Sequence, residues 1–323
     1  MKNNTSPLHH INKRIDIIIP CYNEEINLLT LIVEIDKYTL TLDYDFLILF
    51  IDDGSTDNTN DLLNSLAKQE PRISVIRLSR NFGKEAAIAA GLQHTDADAA
   101  IIMDADLQHP PALIPLLIAE WEKGADVVDA VKTVTQKDTI INHLLSLSFN
   151  KIMSYLTKMD YYGSSDFKLL DKRVIAVLNQ VNEKSRFFRG ITNWIGFDHA
   201  RITFDVNIRN AGRSKFTFQK LFQLSFDAIT SFSSQLLHVI TILGLLTLGF
   251  SVILGLQTLY NKFFGDAVSG FTTVILITLF LSSILMISIG ILGLYLSKIF
   301  YEVKNRPIFI IDKYNTSDKS SES

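Results

Sequence analysis

The residues of this sequence that could do chemistry lie in four short polar clusters, each of which directly follows an apolar run. The first two are Pro20–Glu25 and Asp52–Asp57, and the other two are Ser79–Lys84 and Asp104–Pro110. Three of the four clusters are acidic. Carboxylates that meet at one place can bind a cation or accept hydrogen bonds from a substrate, so the clusters form a candidate site if the fold brings them together.

Asp104 and Asp106 flank a single alanine, and Gln108 follows close behind. A turn at the end of a strand can direct both carboxylates at one hard cation. Oxygen ligands of this kind suit Mg²⁺ or Mn²⁺, which share their coordination shell with substrate phosphates, and a diphosphate is therefore the expected ligand. A lone Asp-x-Asp also occurs as a loop or helix cap, so the metal interpretation depends on the acidic cluster at Asp52–Asp57.

The cluster at Asp52–Asp57 has a structural explanation for only some of its residues. Gly54 can turn the chain, and Ser55, Thr56 or Asp57 can cap the helix that follows. Neither role requires two carboxylates at the end of a strand. Asp53 is better placed to accept hydrogen bonds from a ribose or a base.

Several function classes are disfavoured or excluded. Hydride transfer and ATP hydrolysis are disfavoured because no G-x-G-x-x-G follows a strand and Gly83-Lys84 lacks the upstream glycine of a Walker loop. A net charge of −3 without a long basic run argues against nucleic acid as a partner. The lone Cys21 excludes an intramolecular disulfide and a cysteine-based zinc site.

Alternating strands and helices must position the clusters. Apolar runs rich in β-branched and long aliphatic residues predict strands, and stretches of helical length and spacing lie between them. The predicted strands are Ile15–Ile19, Phe46–Ile51, Ile73–Leu78, Ala99–Met103 and Ala125–Val131, and the predicted helices are Glu24–Tyr38, Asp57–Gln69, Lys84–His94 and Pro111–Lys123. This order predicts an α/β fold with a mostly parallel sheet, whose ligands bind at the carboxyl ends of the strands.

Charge is distributed unevenly along the 323 residues. At the chain average of 20% charged residues, residues 233–297 would contain about 13, but only Lys262 and Asp266 occur there. Residues 233–260 and 271–297 are each uncharged and long enough to cross a bilayer, which predicts a transmembrane helical hairpin. The alternative is a pair of buried helices in a soluble domain, although such helices rarely lack charge on every face.

The positive-inside rule predicts that both large ends of the chain are cytoplasmic, because lysine and arginine flank the hairpin while its link contains only Lys262. Met1–Arg14 is polar and lacks the apolar core of a signal peptide, which agrees with a cytoplasmic N-terminal region. The expected organisation is a polar tail at 1–14, a catalytic domain at 15–215, an interfacial amphipathic helix at 216–232, the hairpin at 233–297 and a cytoplasmic tail at 298–323.

The motifs together resemble the inverting family 2 glycosyltransferases of the GT-A fold. More narrowly, they resemble the polyprenyl-phosphate glycosyltransferases, which include dolichyl-phosphate mannose synthase and the bactoprenol glucosyltransferases. The resemblance covers almost the whole chain and rests on several motifs in the same order: Pro20–Glu25, Asp52–Asp57, Asn81–Lys84, Asp104–Gln108, Ser164–Phe167, Arg186–Gly190, Arg213–Phe216 and Tyr301–Pro307, together with the hairpin.

The resemblance implies roles on the donor side. A nucleotide sugar would be bound by Pro20, Tyr22, Glu24 and Asp53, with Lys84 near the diphosphate and Asp104 beside it. Lys84 could equally be a solvated lysine at a helix start. Asp104, Asp106 and Gln108 would hold the Mg²⁺ or Mn²⁺ that bridges the diphosphate, which makes Asp106 a catalytic residue because the metal offsets charge on the leaving nucleotide.

On the acceptor side, Arg186, Arg189, Arg213 and Lys215 precede a lipid-spanning segment and suit the phosphate of a membrane lipid. Ser214 belongs to the same motif. The alternative is the ordinary excess of basic residues next to a membrane.

Asp166 corresponds to the position usually proposed as the catalytic base. A phosphate monoester with a second pKa near 6 is largely dianionic at neutral pH and needs orientation more than deprotonation. Asp166 could therefore order Arg189 or the acceptor pocket instead, or be a plain carboxylate at a strand edge.

The expected function is inverting transfer of one sugar from a nucleotide sugar, with UDP-glucose favoured, to polyprenyl (undecaprenyl) phosphate at the cytoplasmic face of the plasma membrane. N-acetylglucosamine, mannose or modified arabinose are alternative sugars. A processive synthase is disfavoured because the Gln-x-x-Arg-Trp motif is absent and two spans cannot enclose a pore. A non-catalytic membrane scaffold is the alternative of another class. Relatives with such a hairpin can assemble into homo-oligomers through it.

Overall fold

The computed structural model describes residues 13–132, 165–181, 183, 187–204, 235–264 and 270–315. The chain divides into two compact units. One contains the sheet and ends with Pro307–Ser323, and the other contains Lys215–Arg306. Residues 1–12 of the expected tail at 1–14, the expected interfacial helix at 216–232, and Arg186, Arg213, Ser214 and Lys215 lie outside the described residues.

The described strands form one eight-stranded sheet in the order β7-β5-β6-β4-β1-β2-β3-β8. The pairs β1–β2, β1–β4, β2–β3 and β5–β7 are parallel, whereas β6 pairs antiparallel with β4 and β5, and β8 pairs antiparallel with β3. The strands are β1 Arg14–Cys21, β2 Asp45–Asp52, β3 Ile73–Leu78, β4 Ala99–Ile102, β5 Val127–Lys132, β6 Lys168–Asp171, β7 His199–Phe204 and β8 Ile311–Asn315.

Helices flank the sheet, and the first four of them follow strands β1 to β4 as the alternating pattern predicts. They are α1 Leu28–Thr39, α2 Thr59–Gln69, α3 Lys84–Gln93, α4 Ile114–Glu122, α5 Lys172–Gln180 and α6 Phe188–Trp194, with a 3-10 turn at Pro111–Leu113 before α4. Helix α3 is buried from Ala86 to Leu92. It packs so closely on β1 that a Cβ at Gly91 would lie 2.4 Å from Ile18 Cγ2. This contact holds α3 against β1, and Lys84 is the first residue of the helix.

The predicted α/β fold with a mostly parallel sheet is confirmed, and the differences are local. Helix α1 begins at Leu28 rather than Glu24, because Asn23 adopts a positive φ of 57° and the chain turns before the helix starts. Strands β6, β7 and β8 were not predicted. Strand β8 lies in the expected C-terminal tail but completes the sheet beside β3, where it covers hydrogen-bonding groups that an edge strand would leave open.

The second unit contains two long helices, α7 Gln235–Phe264 and α8 Phe271–Val303. Within α8, residues Phe280–Val303 are long and apolar enough to cross a membrane. The apolar part of α7, Ile242–Gln257, is shorter. The expected hairpin therefore corresponds to two helices, of which one meets the length and composition for a span.

Candidate functional site

The polar clusters meet at the carboxyl ends of the central strands. There they line an open cleft of about 340 Å³. All six residues that the sequence assigns to nucleotide-sugar binding line this cleft, and Asp106 lines it too. The six are Pro20, Tyr22, Glu24, Asp53, Lys84 and Asp104.

Asp53 organises the loop between β3 and α3. Its two carboxylate oxygens accept hydrogen bonds from the backbone N–H groups of Phe82 and Gly83, each at 2.8 Å. Burial raises the pKa of Asp53 above its ordinary value, while the two backbone donors lower it. Gly54 permits this approach, since it has a positive φ of 68° and a Cβ there would lie 2.5 Å from the carbonyl carbon of Arg80. Each carboxylate oxygen keeps a second lone pair, so the predicted contact of Asp53 with a ribose or base stays a prediction.

The loops after β1 and β2 are joined by hydrogen bonds between their backbones and side chains. The backbone N–H of Asn23 donates to Ser55 Oγ at 3.0 Å, and Asn23 Oδ1 accepts from the N–H of Thr56 at 2.9 Å. The N–H of Glu24 donates to Thr59 Oγ1 at 2.9 Å. These bonds preorganise the wall of the cleft that carries Tyr22 and Glu24.

Glu24, Asp104 and Asp106 concentrate negative charge on one side of the cleft. Burial raises the pKa of Glu24 above its ordinary value, and the negative charges of Asp106 and Asp104 raise it further. A hydrogen bond from Asn27 lowers this pKa, but the net effect is a rise. Oδ1 of Asp104 is buried. It is balanced by Lys84, whose Nζ lies 2.5 Å away. Glu24 and Asp106 leave negative charge in the cleft that a bound cation could offset.

This donor set fits a Mg²⁺ or Mn²⁺ ion that is shared with a substrate. Within the described ranges, no three residues among His, Cys, Asp and Glu form a group that could hold a metal. Mg²⁺ is usually bound through one or two carboxylates together with substrate phosphates, which Asp104 and Asp106 can provide. Gln108 is exposed and is not part of the cleft lining; its backbone N–H donates to Asp106 Oδ1 at 3.0 Å.

His109 is hydrogen-bonded to the turn that carries Asp104 and Asp106. It is buried, and its ring stacks on Phe167 with centroids 5.0 Å apart. Its Nδ1 accepts a hydrogen bond from the backbone N–H of Asp104 at 3.0 Å. His109 therefore orients the metal motif without facing the cleft, as its place after Gln108 suggests.

Lys84 joins the donor side of the site to Asp166. Its Nζ lies 2.5 Å from Asp104 Oδ1 and 2.7 Å from Asp166 Oδ2. Burial lowers the pKa of Lys84, but the two carboxylates outweigh this effect and raise it. Lys84 is therefore a charged residue inside the site, in contrast to the alternative of a solvated lysine at a helix start.

Asp166 is buried and fully engaged by cations. Arg189 donates from Nε to Oδ1 at 2.7 Å and from Nη2 to Oδ2 at 2.9 Å, and Lys84 donates to the same Oδ2. Although burial raises the pKa of Asp166, Arg189 and Lys84 hold it well below its usual range. The geometry favours an ordering role for Asp166 over that of a base.

Sequence reasoning missed a group of buried polar residues between the sheet and α6. They are Asp129 on β5, Lys168 on β6, and Thr192 on α6. Glu85, next to Lys84, was missed as well; its Oε2 accepts from the N–H of Phe188 at 2.8 Å. A lysine inside the apolar run that follows Asp166 was the one signal that could have revealed this group.

The chain is similar to known proteins over most of its length. Residues 16–177 match the family model described as Glycosyl transferase family 2. The chain is 35% identical over 302 residues to the SfII prophage-derived bactoprenol glucosyl transferase of Shigella flexneri, across 93% of this chain and 98% of the relative. It is 33% identical over 302 residues to the prophage bactoprenol glucosyl transferase homolog of Escherichia coli strain K12, across 93% and 99%.

Among solved structures, the glucosyl-3-phosphoglycerate synthase of Mycobacterium tuberculosis in complex with Mn²⁺, UDP and phosphoglyceric acid is similar with a TM-score of 0.48. The sequence identity is 18%, and the similarity covers 68% of this chain and 76% of that one.

Proposed function

The chain belongs to glycosyl transferase family 2 and is a glycosyltransferase, and we propose that it transfers one sugar from a nucleotide sugar to polyprenyl phosphate. The names of the two bactoprenol glucosyl transferase relatives support a polyprenyl acceptor and a glucosyl donor, for which we propose UDP-glucose. The observation that carries the proposal is the position of Lys84, which contacts Asp104 in the donor cleft and Asp166 on the acceptor side.

The proposed reaction is a single displacement. An oxygen of the lipid phosphate bonds to the anomeric carbon while the bond from that carbon to the diphosphate breaks, and the electron pair leaves with the nucleoside diphosphate. One displacement inverts the anomeric centre. The lipid phosphate is largely dianionic at neutral pH, so no proton has to be removed from it.

The protein's own residues bind and orient the reactants. Tyr22, Glu24 and Asp53 would contact the nucleoside in the cleft. Asp104 and Asp106, with Gln108 beside them, would hold Mg²⁺ or Mn²⁺, which supplies Lewis-acid stabilisation to the departing diphosphate when it is bound.

Arg189 would receive the lipid phosphate, because its guanidinium group is held in a fixed orientation by Asp166. Arg186, Arg213, Ser214 and Lys215 are proposed to complete the acceptor site. We assign Asp166 to ordering Arg189 and Lys84, since a carboxylate with such a lowered pKa is a poor proton acceptor.

We further propose that α7 and α8 form a transmembrane hairpin, with the catalytic unit on the cytoplasmic side of the plasma membrane. The support comes from β8, which follows α8 in the chain and pairs with β3 in the catalytic sheet. Strands β7 and β8 belong to one sheet, so the chain between them would cross a membrane an even number of times. Given that α8 contains an apolar stretch long enough to cross, α7 would supply the second crossing.

The test is to give the purified protein a panel of UDP- and GDP-sugars with undecaprenyl phosphate and Mg²⁺ or Mn²⁺. We expect a lipid product carrying one sugar, formed best from UDP-glucose. Products that grow beyond one sugar would indicate a polymerase. No product with any donor, together with no binding of nucleoside diphosphates, would indicate a non-catalytic scaffold.

A further inference from the structure

We propose that Lys168 and Thr192 are positioning residues for the acceptor phosphate. Lys168 on β6 and Thr192 on α6 together fix the backbone at Arg189, and through it the ion pair between Arg189 and Asp166. The inference rests on the proposed function, in which Arg189 receives the lipid phosphate.

Lys168 is a fully buried lysine with no exposed surface. Its Nζ lies 3.0 Å from Asp129 Oδ1 and donates a hydrogen bond to Thr192 Oγ1 at 2.9 Å. It also lies 5.2 Å from the centroid of the Phe188 ring, at the start of α6. The ammonium group therefore connects Asp129 on strand β5 to Phe188 and Thr192, two residues of the helix that carries Arg189.

Thr192 connects Lys168 to the backbone of Arg189. Its hydroxyl accepts from Lys168 and donates to the backbone carbonyl oxygen of Arg189 at 3.1 Å. His199 also contacts this group of residues. Its Nδ1 lies 2.8 Å from Asp129 Oδ2, and its Nε2 lies 3.3 Å from the carbonyl oxygen of Thr192. The backbone of α6 is thus tied at Arg189 and at Thr192 to one buried polar group.

Stability alone is a weak reason for this arrangement. A buried ion pair gains little over apolar side chains of similar size, because both charges must be removed from water. Its hydrogen bonds are directional, however, and a packed apolar side chain would not fix the rotation of α6. Lys168 also follows Asp166 by two residues, so one short segment provides the carboxylate and the support for its arginine partner.

Glu85 adds an independent anchor at the first turn of α6 through the N–H of Phe188. Since Glu85 follows Lys84 in α3, the two helices that reach Asp166 are also joined to each other. The short α6 is therefore held at several points, which suits a helix that must present one guanidinium group in a fixed direction.

The experiment compares Thr192→Val, which removes only the hydroxyl, with Thr192→Ser, which restores it. Lys168→Met tests the ammonium group, and Lys172→Met on the exposed face of α5 is the matched control. The readouts are KM for polyprenyl phosphate, KM for the donor, and hydrogen exchange of residues 187–195. We expect Thr192→Val and Lys168→Met to accelerate exchange and raise the acceptor KM about tenfold, with the donor KM within about twofold of the wild type.

Thr192→Ser and Lys172→Met should behave like the wild type. Unchanged exchange and an unchanged acceptor KM in a folded Thr192→Val variant would overturn the positioning role, as would equal increases in both KM values. If Lys168→Met fails to fold, the threonine pair still decides the question. Faster exchange with an unchanged acceptor KM would instead overturn the assignment of Arg189 to the acceptor.

Discussion

Arg189 binds Asp166 through two parallel hydrogen bonds, from Nε to Oδ1 at 2.7 Å and from Nη2 to Oδ2 at 2.9 Å. A bidentate pair of this kind fixes the direction of the guanidinium group as well as its position. Lys84, which lines the cleft, donates to the same carboxylate, so Asp166 binds two cations. Two ordered cations suit a reaction in which a phosphate anion attacks beside a departing diphosphate.

Asp166→Asn should weaken acceptor binding rather than abolish the chemistry. The amide keeps the size of the side chain but loses the charge that orders Arg189 and Lys84, so KM for polyprenyl phosphate should rise about tenfold. Because the lowered pKa keeps Asp166 ionised near neutrality, the pH–rate profile should keep its shape. A loss of kcat of about a thousandfold with an unchanged acceptor KM would identify Asp166 as a base. Asp43→Asn, at an exposed carboxylate, is the control.

Lys84→Met should impair both substrates. Lys84 contacts Asp104, proposed to serve the donor, and Asp166, proposed to serve the acceptor, and its removal leaves both carboxylates with less positive charge beside them. We expect KM for the donor and for the acceptor each to rise about tenfold, measured by varying one substrate at saturation of the other. Lys68→Met on the exposed face of α2 should leave both values unchanged. An effect on one substrate alone would contradict the bridging role.

Asp106→Ala should uncouple nucleotide binding from the metal. The wild-type protein should bind UDP at least about tenfold more tightly with Mg²⁺ or Mn²⁺ than with a chelator, as measured by calorimetry. The variant should bind UDP weakly and equally in both conditions, because a carboxylate proposed to hold the ion has been removed, and turnover should be lost. Metal-dependent binding that survives in the variant would remove Asp106 from the metal site.

The parts of this fold that could be predicted from the sequence are those determined by local patterns. Strands β1 to β5 and helices α1 to α4 follow from apolar periodicity and from the turn residues between them. Strand β8 could not be predicted, since its partner β3 lies far away in the chain and its own side chains are mostly exposed. The contacts of Asp53 with Phe82 and Gly83 and of Lys84 with Asp166 depend on which loops meet in the folded chain, which residue types do not reveal.

Glu85 should make stability depend on pH. Burial raises the pKa of Glu85 to about 7, although the hydrogen bond from the N–H of Phe188 lowers it in part. The native state therefore holds a proton that the unfolded chain releases above about pH 4.5, and the free energy of unfolding falls as pH rises towards 7. Glu85→Gln keeps an acceptor for Phe188 but cannot ionise.

The difference between Glu85→Gln and the wild type should therefore be small near pH 5 and grow to the order of 2 kcal/mol in favour of the variant by about pH 8. Thermal unfolding in detergent at a series of pH values measures it. A constant difference across this range would show that Glu85 does not titrate there. Glu34→Gln, whose carboxylate does not line the cleft, provides the comparison.

The proposed hairpin can be tested by labelling one residue on each side of the membrane. Only Lys304–Ile310 separate α8 from β8, and seven extended residues reach about 25 Å, less than the hydrocarbon core of about 30 Å. If α8 crosses a membrane, the connection is therefore too short for β8 to be on the side opposite the C-terminal end of α8. If α7 and α8 both cross, a membrane-impermeant maleimide should label Ser269→Cys on intact cells but Ser317→Cys only after lysis. The native Cys21 is buried with 2% exposure, which keeps background labelling low. Labelling of both variants only after lysis would show that the link between the helices does not reach the outer face, and would leave the two helices on the cytoplasmic side.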